Sequence, residues 1–354
     1  MVPSDAPASL RPIADRVEAR LEQFLAPELD RWGAFDSALR EPMEEIRRLV
    51  LSGGKRLRPA FCHWAYVGCG GDPDDPAVID TGAAFELMHA FALFHDDVMD
   101  DAASRRGART THRTFAERHR DAGWAGEARR FGDGMAILIG DLAFVYSDQL
   151  MAGANAVAWR IWNELRIELN VGQVLDMLGS VQGVRDLAHA ERICRYKSGK
   201  YTIERPLHLG AALADPARFD ELAPRLSAYG LPLGDAFQMR DDVMGAFGDE
   251  RATGKPVGGD LREGKPTPLL ARAVAVATPA QLEVLATVGR PGLSDAGVVA
   301  IQEVLVETGA LADLEVTIAE LTAEAIAAVA DADLDPQATD ELIALAEFVS
   351  QREA

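Results

Sequence analysis

Cysteine is scarce in this chain. Its 354 residues include three, Cys62, Cys69 and Cys194, too few for a disulfide framework and spaced to fit no zinc motif. They read as ordinary thiols of a reducing compartment. Aromatic residues make up 6% of the chain, and its tryptophans show no spacing suited to a base-stacking platform. No run of about 18 uncharged apolar residues occurs, so no membrane span is expected. The N-terminus, MVPSDAPASLRPIADRVEARLEQ, lacks a signal-peptide core. Basic residues are the minority: 36 Lys and Arg against 56 Asp and Glu, a formal charge of −20. That balance disfavours nucleic acid and an anionic membrane surface. Anionic substrates remain open to such a protein if divalent cations intervene. A soluble cytoplasmic protein, without stable membrane insertion, is expected.

Strand patterning is missing too, since no β-branched run alternates strictly between turn signals. What fills the chain is helical periodicity. ADRVEARLEQFLAPEL, AGVVAIQEVLVETGAL and LEVTIAELTAEAIAAVA repeat apolar residues at three and four. Gly and Pro cluster at 68–76, 121–134 and 248–268, where they punctuate helices without forming an interdomain linker. The length alone would allow two or three domains. The pattern predicts one all-α domain over 1–354, a bundle of ten or more helices.

The stretch FALFHDDVMDDAASRRG (91–107) crowds Asp96, Asp97, Asp100 and Asp101 into six positions. Asp96 and Asp100 share a helix face one turn apart, and Asp97 and Asp101 form a second such pair. Like charges at that spacing repel, and a helix C-terminus adds its own negative pole. Two readings are open, an exposed acidic turn or a metal site. Oxygen-only ligands would suit a hard cation such as Mg²⁺ shared with substrate phosphates. His89 lies on the same stripe two turns earlier.

QMRDDVMGAFGDERATGKPVGGDLREGKP (238–266) repeats the theme with Asp241 and Asp242, but Gly245 stands at the third position. Lys255 and Lys265 follow on a glycine-rich stretch that could close over phosphates. GDLREGK (259–265) imitates a P-loop, yet Pro266 stands where Ser or Thr is needed and no strand precedes it. That reading is rejected. SGGKRLRP (52–59) offers Lys55 and Arg58 beside a glycine pair, while Arg105 and Arg106 follow the first cluster. Guanidinium groups suit phosphate oxygens. Each cation alone reads as a solvated surface charge; together with the two acidic segments they suggest a metal–diphosphate chamber.

Six motifs then occur in an order that resembles the trans-isoprenyl diphosphate synthases, the polyprenyl synthetase family. They are GGKRLRP (53–59), HDDVMD with RRG (95–107), ILIGD (137–141), GQVLDM (172–177), YKSGKYTIERPLHLG (196–210) and FQMRDD…GK…GGDL…GK (237–265). The resemblance spans about residues 50–270. It implies an all-α bundle around a central cavity, the type I isoprenoid synthase fold, in a protein that is usually a homodimer. It also implies two or three Mg²⁺ ions, on Asp96 and Asp100 with Asp97 in support, and on Asp241 helped by Asp242 and by Asp260 through water. Arg105, Lys197, Lys255 and Lys265 would contact the allylic diphosphate. Lys55, Arg58, His89 and Arg106 would hold that of isopentenyl diphosphate. Lys197, Ser198 and Gln238 would place dipoles beside the developing allylic cation.

The implied reaction is ionisation, condensation and elimination, with metal and basic residues stabilising the departing pyrophosphate. Two positions depart from the pattern: Ser198 where many relatives have threonine, and Gly245. Phe91 and Ala92, the fifth and fourth residues before Asp96, correspond to the tunnel floor that sets product length. One bulky and one small residue imply a medium chain, C20 geranylgeranyl diphosphate, with C15 farnesyl diphosphate as the alternative. Phe91 also reads as plain core packing, because it falls about 140° from the Asp96 stripe.

Three other readings compete. A class I terpene cyclase shares the fold, but has no use for Lys55, Arg58 and Arg106 as a second diphosphate site. A di-iron carboxylate protein would use Glu86 and His89, yet no second Glu-x-x-His exists. An inactive partner subunit would not need the complete first motif. His95, His112, His119 and His208 read as structural or surface groups, and Glu86 as a polar helix edge.

Overall fold

The structure, a computed structural model, describes residues 6–183, 186–248 and 258–351. Helices dominate. In chain order come α1 (Leu10–Phe35), α2 (Arg40–Leu51), α3 (Leu57–Gly68), α4 (Pro76–Met99), α5 (Thr111–Asp121) and α6 (Ala128–Leu150). After them run α7 (Ala156–Gln182), α8 (Leu187–Ile193), a π-helical segment (Cys194–Glu204), α9 (Arg205–Ala214) and α10 (Phe219–Phe247). The rest are α11 (Gly259–Glu263), α12 (Pro268–Val276), α13 (Pro279–Leu285), α14 (Asp295–Glu307), α15 (Ala310–Ala330) and α16 (Pro336–Ser350). The only strands among the described residues are β1 (Ser104–Arg105) and β2 (Ala108–Arg109), paired antiparallel.

Contacts group the chain into two compact units, Met1–His63 with Asp72–Asn155, and Trp64–Gly71 with Ala156–Ala354. In the first, α4 packs against α6 and α1, and α5 against α6. The Asp75 side chain caps α4 by accepting from the Ala77 N–H at 2.8 Å. Pro76 follows at N1, where its missing N–H removes no helix bond. Apolar residues surround α4 on all sides, and Phe85, Leu87, Met88 and Phe94 are fully buried. By length and composition α4 could cross a membrane, but most of it lies inside the protein, as a core helix does. Its burial holds the acidic C-terminal turn in place.

The second unit is built on α10, which packs against α15, the π-helical segment and α9. Leu226, Tyr229, Leu233 and Ala236 are fully buried along α10. The Tyr229 hydroxyl donates to the Leu342 carbonyl at 2.7 Å, tying α10 to α16. Leu269, Leu270, Leu285, Ile301, Leu305 and Leu314 continue the core around its C-terminal half. Each such side chain stabilises the fold by about 1.5–3 kcal/mol through burial, which fixes the helix carrying the second acidic segment.

Candidate active site

α4 ends as its sequence crowds with charge. The Asp100 N–H still bonds the Asp96 carbonyl at 2.8 Å, but Asp101 turns to φ +50° and leaves the helix. Its carboxylate meets Arg113 at 2.7 Å and Arg129 at 3.5 Å. The expected Asp97/Asp101 pair therefore does not form: the left-handed turn carries Asp101 away from the helix pole and toward cations. Asp97 is buried and accepts from Arg105 Nε at 2.6 Å, while Arg105 Nη2 lies 3.2 Å from Asp96 Oδ2. Burial would lower the Arg105 pKa, but Asp97 and Asp96 outweigh it and hold it above its ordinary value. Arg105 reaches these carboxylates because Arg106 and Gly107, with φ +52° and +74°, close a two-residue hairpin between β1 and β2. Positive φ at both positions is the I′ turn geometry, so RRG encodes a turn as well as charge.

Arg106 is tied to the SGGKRLRP loop. Its Nη1 donates to the Gly53 carbonyl at 2.7 Å, Ser52 Oγ at 3.0 Å and the Leu49 carbonyl at 3.3 Å. Burial lowers the Arg106 pKa, with Arg56, Arg105 and Arg58 adding repulsion. His89 is held neutral, well below its ordinary pKa, first by burial and then by Arg58, Arg106, Arg105 and Arg56. Four guanidinium groups thus bear on one imidazole. Three of the residues assigned to isopentenyl diphosphate, Arg58, His89 and Arg106, come together; Lys55 lies half-buried in the same loop. Because it is uncharged, His89 can contribute a hydrogen bond but no charge.

Arg56 was missed by sequence reasoning. It is buried with φ +50°, forms an ion pair with Glu86, and donates Nη2 to Glu18 at 2.9 Å and the Val50 carbonyl at 2.5 Å. Glu86 is therefore no helix-edge residue: it is buried and committed to Arg56, which removes it from any di-iron site. Phe91 is half-buried, its ring 4.7 Å from both Phe144 and His95. Ala92 is half-buried one position on. His95 is structural. Its Nε2 lies 3.1 Å from the Ile137 carbonyl, and a Cβ at Gly140 would come within 2.6 Å of its ring. ILIGD thus supplies a seat for His95.

In the second unit, Lys197, Gln238, Asp242 and Lys265 line one cavity of about 100 Å³ together with Asp176, Cys194 and Asp260. Asp242 accepts from Gln238 Nε2 at 2.8 Å and from the Cys194 thiol at 3.7 Å. Lys197 is paired with Asp176, and Lys265 with Glu263 at 2.7 Å and Asp260 at 3.4 Å. Ser198 and Asp241 are half-buried on the π-helical segment and α10. Asp176 went unassigned in the sequence, although it belongs to GQVLDM. Gly245 has a specific consequence: a Cβ there would lie 1.9 Å from Asp260 Oδ2. The Asp260 carboxylate occupies the space of the absent side chain. Residues 259–263 form a single short helical turn, and Pro266 stands where a P-loop needs Ser or Thr, so the P-loop reading stays rejected. Lys255 lies outside the described residues.

These donors fit a hard divalent cation. All are carboxylate oxygens. Asp242 is pushed well above its ordinary pKa by burial, then by Asp260 and Asp241, with Lys265 opposing, a repulsion that a cation would relieve. Among the described residues no group of three or more His, Cys, Asp or Glu is gathered into a ready-made cage. Mg²⁺ does not require one, since it takes one or two carboxylates and completes its shell with water and substrate phosphates.

The chain matches the polyprenyl synthetase family over residues 38–304. It is 33% identical over 310 residues to a geranylgeranyl diphosphate synthase of Mycobacterium tuberculosis, covering 85% of this chain and 81% of that one. It is 32% identical over 272 residues to a geranylfarnesyl diphosphate synthase of Aeropyrum pernix, covering 74% and 79%. Among solved structures, a geranylgeranyl pyrophosphate synthase from Corynebacterium glutamicum, complexed with isoprenyl diphosphate and magnesium, superposes with TM-score 0.91 at 34% identity, covering 97% and 99%. The all-α isoprenoid synthase fold accords with these relatives. The chain belongs to the polyprenyl synthetase family and is a trans-prenyltransferase.

Proposed function

We propose that this protein condenses isopentenyl diphosphate with an allylic diphosphate (dimethylallyl, geranyl or farnesyl) and releases geranylgeranyl diphosphate as its end product. The observation that carries this reading is the likeness, across nearly the whole chain, to a synthase holding isoprenyl diphosphate and magnesium. The family match runs across both compact units, and they act as one catalytic domain. Asp96, Asp97 and Asp100 on α4, with Asp241 and Asp242 on α10, hold two or three Mg²⁺ ions. Bound there, magnesium supplies Lewis-acid stabilisation of charge on the departing pyrophosphate.

The other residues bind and orient. Arg105, Lys197, Lys255 and Lys265 grip the allylic diphosphate, so Arg105 and Lys197 exchange their carboxylate partners for phosphate oxygens. Lys55, Arg58 and Arg106 hold the isopentenyl diphosphate, and neutral His89 adds a hydrogen bond. Ser198 and Gln238 set hydroxyl and amide dipoles beside the carbon that becomes cationic. The isopentenyl double bond attacks that carbon, and the proton lost in elimination passes to pyrophosphate. Phe91, with Ala92, closes the space available to the growing chain.

Product analysis with each primer in turn tests the reading. Consumption of isopentenyl diphosphate and a C20 end product are expected. Products that stop at C15 would favour farnesyl diphosphate synthesis, and no consumption at all would leave a cyclase or an inactive partner subunit.

The enzyme is further proposed to be a cytoplasmic homodimer. α6 exposes Ile137, Leu138, Leu142 and Val145, and α7 exposes Ile167, Val171, Val174 and Leu178. Leu138, Leu142 and Val145 on α6, and the whole α7 set, follow the three-and-four spacing of a helix face seeking a partner. Light scattering should give a dimer, and Leu138→Glu a monomer; a monomeric wild type at micromolar concentration would overturn the assignment.

A further inference from the structure

Residues 194–204 are π-helical over 11 residues. Such i→i+5 stretches are rare, normally a single turn, and frequent at functional sites. A geometry of this kind persists only where its surroundings over-determine it. Here the backbone is bracketed by glycine. A Cβ at Gly172 on α7 would lie 2.3 Å from the Lys197 nitrogen; one at Gly199 would lie 2.9 Å from the Gly234 carbonyl carbon; one at Gly230 would lie 2.9 Å from Glu204 Cα. These contacts fix how closely the segment approaches α7 and α10. They are smooth, however, and do not fix its rotation.

Directional contacts do. Lys200 is paired with Glu168 on α7 and lies 3.6 Å from Glu204. Arg205 donates to Glu168 through Nε at 2.6 Å and Nη2 at 2.7 Å. Arg205 Nη1 stands 3.1 Å from His208 Nδ1. His208 Nε2 is 3.0 Å from Ser227 Oγ and 3.2 Å from the Ala223 carbonyl. The Ser227 hydroxyl donates to Glu204 at 2.7 Å, which closes the ring. One arrangement satisfies Arg205, His208 and Ser227 together: Arg205 donates to Nδ1 of a neutral imidazole whose Nε2–H points to Ser227 and Ala223. Glu204 Oε2 makes no hydrogen bond among the described residues and faces the Lys200 ammonium at 3.6 Å. Glu168, Glu204 and His208 are buried, so each bond is made where leaving a partner unpaired is costly.

We propose that this ring holds the segment π-helical, and that Lys200 and Glu168 are positioning residues acting through Lys197. Lys197 lies three residues before Lys200, on the wall of the cavity that holds Gln238 and Asp242. A return to α-helical winding would change the direction of every side chain between Cys194 and Glu204. Lys197 would then lose its aim into that cavity although its own contacts were untouched. The inference rests on the functional reading above, in which Lys197 grips the allylic diphosphate.

The test is steady-state kinetics of Lys200→Met, Lys200→Arg, Lys197→Met and the double methionine variant. Lys200→Met should raise the KM for the allylic substrate at least tenfold and leave that for isopentenyl diphosphate within twofold. Lys200→Arg, which keeps the charge and can grip Glu168 in bidentate fashion, should restore most of the loss. The double variant should be no worse than Lys197→Met alone. A merely structural lysine would lower the active fraction and move neither KM; that outcome, or losses that multiply in the double variant, overturns the inference. Should Lys200→Met fail to fold, Glu168→Gln is read by the same criteria. A wild type that consumes no isopentenyl diphosphate overturns the functional reading and this inference with it. An active wild type with an insensitive Lys200→Met overturns this inference alone.

Discussion

Gly245 and Asp260 exclude one another as side chains, because a Cβ at 245 meets the Asp260 carboxylate. Restoring an aspartate at 245, which would complete the second acidic motif on paper, should therefore reduce prenyl transfer. Gly245→Asp is expected to lower kcat at least tenfold, and Gly245→Asp with Asp260→Gly to recover part of it; a gain from the single variant would show that the carboxylates can coexist. Asp96→Ala should abolish turnover at saturating Mg²⁺ while circular dichroism stays unchanged, and near-wild-type transfer would remove Asp96 from the metal site. Asp96 and Asp242 stood out in the sequence as candidates because crowded like charges repel and call for a compensating partner, whereas Lys197 was reached only through the family resemblance. Arg56 was reached by neither route. Its partners Glu18 and Glu86 lie 38 and 30 residues away, so only folding reveals that it neutralises them.

Among the elements, the Gly172 approach to the π-helical segment is the tightest backbone contact near Lys197. Gly172→Ala puts a methyl group 2.3 Å from a backbone nitrogen, which no side-chain rotation relieves. Overpacking of this kind costs about 1–3 kcal/mol. At about 2–4 °C per kcal/mol for a unit of this size, the melting temperature should fall by several degrees. An unchanged thermal melt would mean that the two backbones separate at little cost. The helices were readable from apolar spacing, and so were the ends of α4 and α10, where charge replaces apolar residues. The π-helical winding was not readable. Apolar periodicity barely distinguishes i→i+4 from i→i+5 over 11 residues, and the ring that selects between them draws on Glu168 and Ser227, which sit on other helices.

For the whole molecule, acid stability depends on histidines buried without charge. His63 and His208 are both lowered to about 4 by burial, with Arg16 adding to the effect at His63. At His208, Glu204 opposes the shift, Arg205 and Lys200 reinforce it, and the Ala223 carbonyl raises it slightly. Between pH 6.5 and 4 the unfolded chain binds these protons and the native state does not. Stability is therefore complete above about pH 6.5 and declines as pH falls toward 4, by up to about 3 kcal/mol for each group. His208→Gln should flatten that decline in denaturant titrations at successive pH values. An unaltered slope would show that His208 takes up its proton in the folded protein.

The sequence by itself determined that the chain is helical, that its acidity leaves anionic substrates open to it if divalent cations intervene, and which aspartates and basic residues are the candidates for that task. Those properties are local: apolar spacing, charge density, glycine beside charge. Tertiary structure alone decided that Asp101 leaves its helix for Arg113, that Glu86 is spent on Arg56, that Asp260 fills the space above Gly245, and that Lys197 rides on a π-helical turn. Each of these is set by groups distant in sequence competing for one volume or one hydrogen bond, and that competition exists only once the chain has folded.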